Sequence, residues 1–122
     1  MTKAATETEF EVGTQDGWGV LTPIGEIDGY WAPRFRDAIG ELLAEHDQRL
    51  IVDLARVGFL DSTAIGVMIG AMKRARALHG DVRIVNPQPF VARVLEITGL
   101  HRVIASFTST QEAAAAATPM GF

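Results

Sequence analysis

Two strand-like runs, Leu50-Ile51-Val52 and Val82-Arg83-Ile84-Val85, bracket a stretch of helical period that begins at Ser62. A strand apolar at successive positions is covered on both faces, and that belongs to parallel strands joined by helical crossovers. This unit commits the centre of the chain to a parallel sheet with helices packed on it.

The flanks extend the pattern. Phe10 and Val12 alternate with polar or small residues, Gln15-Asp16-Gly17 is a turn signal, and 18–24 reads as a second strand, so the chain opens with a hairpin. Pro23 belongs at a strand edge or end because it cannot donate to a ladder. Residues 25–29 read as a loop, after which Pro33 suits the first turn of a helix carrying Phe35, Ile39, Leu42 and Leu43. The helix from Ser62 to about His79 has Gly80 as its stop. Pro87-Gln88-Pro89 opens a short helix with Val91, Val94, Leu95 and Ile97, stopped at Gly99. Val103-Ile104 reads as a last strand and Thr110 as the cap of a final helix. The expectation is an α/β single domain, a mixed sheet of about four to five strands (opening hairpin, parallel core) with about four helices. It spans residues 9–117, with 1–8 and 118–122 flexible.

Composition excludes several function classes. The 122 residues suffice for one domain, and 48% hydrophobic content provides a core. Fifteen acidic against eleven basic residues, a formal charge of −4, disfavour nucleic acid, whose phosphates require a basic patch. The absence of cysteine excludes disulfides and thiolate chemistry. No apolar run approaches the roughly 18 residues of a membrane span, and the start lacks a secretory signal, so a cytoplasmic location is expected.

Ser62 lies where a strand pattern gives way to a helix. A helix start leaves backbone N–H groups unpaired and presents the positive end of the dipole. The simplest role for Ser62 is therefore a helix cap. The same position would accept a phosphate, about two negative charges, without unfolding the domain. At 100° per residue, Ile65, Met68, Met72 and Ala75 fall on the sheet side, and Ser62, Gly66, Gly70, Lys73 and Ala77 on the other. Two glycines in a helix cost roughly 1 kcal/mol each against alanine. Either they let a partner approach closely or they contact another helix of the same domain.

Catalytic constellations are missing from the sequence. There is no G-x-S-x-G elbow, and His46, His79 and His101 occupy surface or capping contexts. Gly66 to Lys73 has the wrong spacing for a phosphate loop, and there is neither a dinucleotide fingerprint nor metal-ligand spacing. An enzyme is not expected, and a Ser62 hydrolase is the most distant reading.

Four blocks occur in order: Gly25-Glu26-Ile27-Asp28, Ala32-Pro33, Asp61-Ser62-Thr63-Ala64-Ile65-Gly66 and Leu95-Glu96-Ile97-Thr98-Gly99-Leu100. Together they resemble the STAS domains of bacterial anti-sigma factor antagonists, a partner-switching family. The resemblance implies that Ser62, with Thr63 as rival, is phosphorylated by a partner that is both anti-sigma factor and serine kinase. The unmodified form binds that partner and frees the sigma factor, and a metal-dependent serine phosphatase restores it. No cofactor is implied, since ATP belongs to the kinase. The expected partner surface comprises Asp28, Trp31, Asp61, Ser62, Thr63, Gly66, Gly70 and Lys73. Ala64 stands where the family usually has glycine, and Trp31 where it often has threonine. Trp31 is either a partner anchor or packed on its own domain. The alternative is a structural or regulatory STAS subunit of a larger signalling or lipid-transport complex.

Overall fold

The structure, a computed structural model, describes residues 7–117. The expected flexible ends fall mostly on residues 1–6 and 118–122, outside the described residues. Thr8, in the segment expected to fray, is buried, and its hydroxyl accepts from Glu26 N–H at 3.2 Å and donates to the Glu26 carbonyl.

Strands β1 (Glu9–Gln15) and β2 (Trp18–Ile27) form the antiparallel hairpin. Its turn places Asp16 and Gly17 at φ 51° and 87°. Helix α1 (Ala32–Glu45) leads to β3 (Arg49–Asp53) and β4 (Val57–Leu60), then α2 (Ser62–Ala77) and β5 (Asp81–Val85). Helix α3 (Pro89–Thr98), a 3-10 turn over Leu100–Arg102, β6 (Ser106–Phe107) and α4 (Thr110–Ala115) complete the chain. The sheet order is β1-β2-β3-β5-β6, with β4 also paired to β2, and every pairing other than β1 with β2 is parallel.

Six strands replace the four to five expected. The added strand is β4, a four-residue segment containing Gly58 and so short of apolar alternation. The last strand lies at Ser106–Phe107, not at Val103-Ile104, because Leu100–Arg102 turns and Ile104 instead enters the core. β2 also runs through the expected 25–29 loop as far as Ile27. It pairs β3 through Gly19–Leu21 and β4 through Gly25–Ile27, with a register shift between Gly25 and Glu26. Gly25 takes φ 124° at that bulge, a conformation that L side chains rarely adopt. Pro23 lies inside β2, opposite Phe10 of β1, and not at the strand edge or end expected; it falls between the two parallel pairings, where its missing N–H breaks neither.

Strand alternation divides the core into two faces. Leu50, Val52, Val82 and Ile84 join the large cluster with α1, α2 and α3. Ile51 and Val85 face the other way with Trp18, covered by Ala113 of α4. Arg83 lies on that second face, 1% exposed. α2 buries the expected Ile65, Met68, Met72 and Ala75, and also Ala64, Val67 and Ala71, because it packs on α1 as well as on the sheet. Its C-terminus passes so close to the α1–β3 loop that a Cβ on Gly80 would lie 1.9 Å from the Gln48 carbonyl oxygen. Among the described residues no helix is long and apolar enough to cross a membrane.

Candidate functional site

The C-terminal ends of β2 and β4 lie side by side, so the helices that follow them, α1 and α2, start at the same end of the molecule. Asp61 joins the two starts. Its backbone is extended (φ −115°, ψ −174°) and its N–H donates to the Ile27 carbonyl at 3.3 Å. Oδ1 accepts from the N–H groups of Thr63 (3.0 Å) and Ala64 (3.2 Å), which are among the orphan donors of α2. Oδ2 accepts from Gly29 N–H at 3.1 Å, tying down the loop ahead of α1. Asp28 shapes that loop, its Oδ1 accepting from Tyr30 N–H (3.0 Å) and Trp31 N–H (3.3 Å).

The cap of α2 is therefore Asp61, not Ser62, since a carboxylate with two acceptor oxygens serves both helix starts where a hydroxyl could serve one. Ser62 is the first helical residue. It is exposed, and its hydroxyl makes no hydrogen bond among the described residues. Thr63 is also exposed and faces the loop, for a Cβ on Gly29 would come within 3.9 Å of its Oγ1. At α4 the cap is likewise one residue earlier than expected: Ser109, not Thr110, accepts from Glu112 N–H.

Asp28, Asp61, Ser62 and Thr63 thus meet at one end, and Trp31 adjoins them as the residue before α1. Gly66, Gly70 and Lys73 continue along the outer side of α2, Lys73 about 16 Å from Ser62 at 1.5 Å per residue. A Cβ at Gly66 would meet nothing within 4 Å, and one at Gly70 only the Arg74 guanidinium at 3.3 Å. Contact with another helix of the domain, one of the two explanations for these glycines, is therefore not made among the described residues. Trp31 is half-buried against the main core, with Tyr30 edge-on at 5.1 Å and the Arg34 guanidinium over its ring at 5.2 Å. Sequence reasoning missed Gly29 and Tyr30 as parts of the site. An Asp-Gly step before a helix start was the available signal for Gly29.

This end offers a free hydroxyl at a helix N-terminus but, among the described residues, no base aligned on it. His101 Nδ1 lies 3.3 Å from the Leu95 carbonyl oxygen, the His46 ring packs beside Gly19, and His79 follows the end of α2. Among the described residues no group of His, Cys, Asp and Glu is arranged to hold a metal.

The model of the STAS domain family matches residues 9–113. The anti-sigma-B factor antagonist of Listeria monocytogenes is 35% identical over 80 residues, covering 66% of this chain and 70% of that protein. Among solved structures, an anti-sigma factor antagonist from Mycobacterium paratuberculosis superposes with a TM-score of 0.79 at 27% identity, covering 89% of this chain and 92% of that one. The anti-sigma factor antagonist SpoIIAA in its unphosphorylated form shares the fold, with a TM-score of 0.73 at 24% identity over 87% of this chain and 93% of that one. With the family match spanning β1 to α4 and the same architecture in these neighbours, the chain belongs to the STAS domain family.

Proposed function

We propose that this STAS domain is an anti-sigma factor antagonist. Unphosphorylated, it binds an anti-sigma factor that is also a serine kinase, releasing the sigma factor. Phosphorylation at Ser62 abolishes that complex, and a metal-dependent serine phosphatase restores it. The protein is a non-catalytic regulator acting in the cytoplasm, where transcription is controlled. The observation that carries the reading is the free, exposed Ser62 hydroxyl, one residue inside a helix whose start is already capped by Asp61. Phosphate there removes no structural hydrogen bond, and the helix dipole accommodates the charge. A partner shaped for a hydroxyl would have to bury an uncompensated dianion, at a penalty of several kcal/mol, enough to dissolve a micromolar complex.

The bound surface on this reading is Asp28, Trp31, Asp61, Ser62, Thr63, Gly66, Gly70 and Lys73. The test is recovery of the partner from the native cell with the unmodified chain, then incubation of the two with ATP and phosphopeptide mapping. One phosphate at Ser62 and loss of the complex are expected. Modification mainly at Thr63, or none at either residue, would refute the assignment.

A further inference from the structure

Beside the Ser62 face, between the start of β1, the end of β2 and the start of α1, lies a cleft of about 780 Å³. The acidic residues Glu7, Glu9, Glu26 and Asp28 line it, and among the described residues its only cationic lining residue is Arg34. Glu7, Glu9 and Glu26 are exposed and have no ion-pair partner among the described residues. Tyr30, 79% exposed, and the edge-on Trp31 form an aromatic wall. That wall already attracts a guanidinium, since the Arg34 side chain lies over the Trp31 ring although it is free to extend into solvent.

Unneutralised carboxylates beside an indole favour a planar delocalised cation, which stacks on the ring and presents its N–H groups to the acids. A lysine ammonium is more strongly hydrated and fits this combination less well. The cleft shares Asp28 with the turn tied to Asp61, so it is continuous with the docking face. We propose that it receives an arginine side chain of the protein that docks over Ser62, an inference that rests on that face being the docking face. Trp31 and the acidic rim thereby select the partner, while Ser62 sets whether it binds.

The probe is the blocked tripeptide N-acetyl-Gly-Arg-Gly-amide, with its citrulline counterpart as neutral control, titrated into the full-length ¹⁵N-labelled chain. The Trp31 indole N–H, distinguished from that of Trp18 by Trp31→Phe, should shift saturably with the arginine peptide. Affinity should fall about fivefold or more with citrulline, and to a similar degree in the Glu9→Gln/Glu26→Gln double variant, as expected for loss of charge pairing at an exposed site. Arg34→Gln, which vacates the ring face and removes the competing cation, should tighten binding about threefold. Equal shifts from both peptides, an unchanged affinity in the double variant, or shifts confined elsewhere would overturn the proposal. So would binding that appears only after removal of residues 1–6, because the occupant would then be the chain's own N-terminal segment, which carries Lys3. No protein partner enters the titration. A negative result therefore overturns the cleft alone, and a missing phosphate at Ser62 the switch alone.

Discussion

On the proposed function, Asp61 and Ser62 divide between them two tasks that one residue could not perform together. The capping carboxylate keeps three backbone N–H groups satisfied, which leaves the neighbouring hydroxyl unbound and exposed. Were Ser62 itself the cap, phosphorylation would disturb the hydrogen bond that starts the helix. Asp61→Ala should accordingly destabilise the domain by about 1–2 kcal/mol, the usual loss for a helix cap. It should also release the Gly29 loop, since the third bond goes there. Urea unfolding measures the first effect, and faster amide exchange at Gly29 the second. A loss below about 0.5 kcal/mol, with unchanged exchange at Gly29, would mean that Asp61 does not hold the two helix starts together.

α2 works as a two-sided element, buried through Ala64, Ile65, Val67, Met68, Ala71, Met72 and Ala75, exposed at Ser62 and Gly66 and half-exposed at Gly70. Gly70→Gln tests the outer side. Its Cβ meets only the far end of the Arg74 side chain, which can move, and glutamine is the better helix former. The unfolding midpoint should hold or rise, while affinity for the anti-sigma partner falls at least about tenfold, roughly 1.4 kcal/mol. Lost stability with intact binding would place the docking face elsewhere. A second element, α4, makes a pH prediction. The backbone N–H and then the hydroxyl of Thr108, both bonded to Glu112, hold its carboxyl below the ordinary 4.5. A depressed carboxylate stabilises above its unfolded value and ceases to as pH falls through the lower folded one. Amide protection at Thr108 should therefore be lost on acidification below about pH 4.5, and Glu112→Gln should flatten that profile. The long elements behind these predictions were legible in the sequence because helical period and consecutive apolar runs are strong signals. β4 and β6 were not, since two to four residues carry no period, and only pairing with β2 and β5 makes them strands. The residues gathered at the site were legible as motifs. Their linkage through Gly29 was not, for a contact spanning β3 and β4 has no local signature.

Across the molecule, the Ser62 end and the centre that locks the opposite sheet face are built from different residues. Arg83 is buried on β5, with its guanidinium 4.4 Å from the Trp18 ring of β2. One of its nitrogens donates to the Ala113 and Ala116 carbonyls at the C-terminus of α4, where a cation suits the helix dipole. Its Nε lies 3.3 Å from Asp81 Oδ2, while Arg76 holds Asp81 Oδ1 at 2.9 Å. Two strands and the last helix thus depend on one buried charge, whereas the Ser62 hydroxyl holds nothing together. The two sites should separate stability from switching. Ser62→Asp should leave the thermal midpoint within a few degrees of the parent, because an acidic side chain at the first position of a helix is well placed. Arg83→Met should lower stability by about 3 kcal/mol, the low end for breaking a buried pair because Asp81 keeps Arg76. For a domain of this size that is a fall of roughly 10–20 °C in the midpoint. At a temperature where both variants remain folded, Arg83→Met should still bind the partner and Ser62→Asp should not. If Ser62→Asp instead unfolds like Arg83→Met, the serine is structural, and a phosphate there would act by melting the domain rather than by blocking a docked partner.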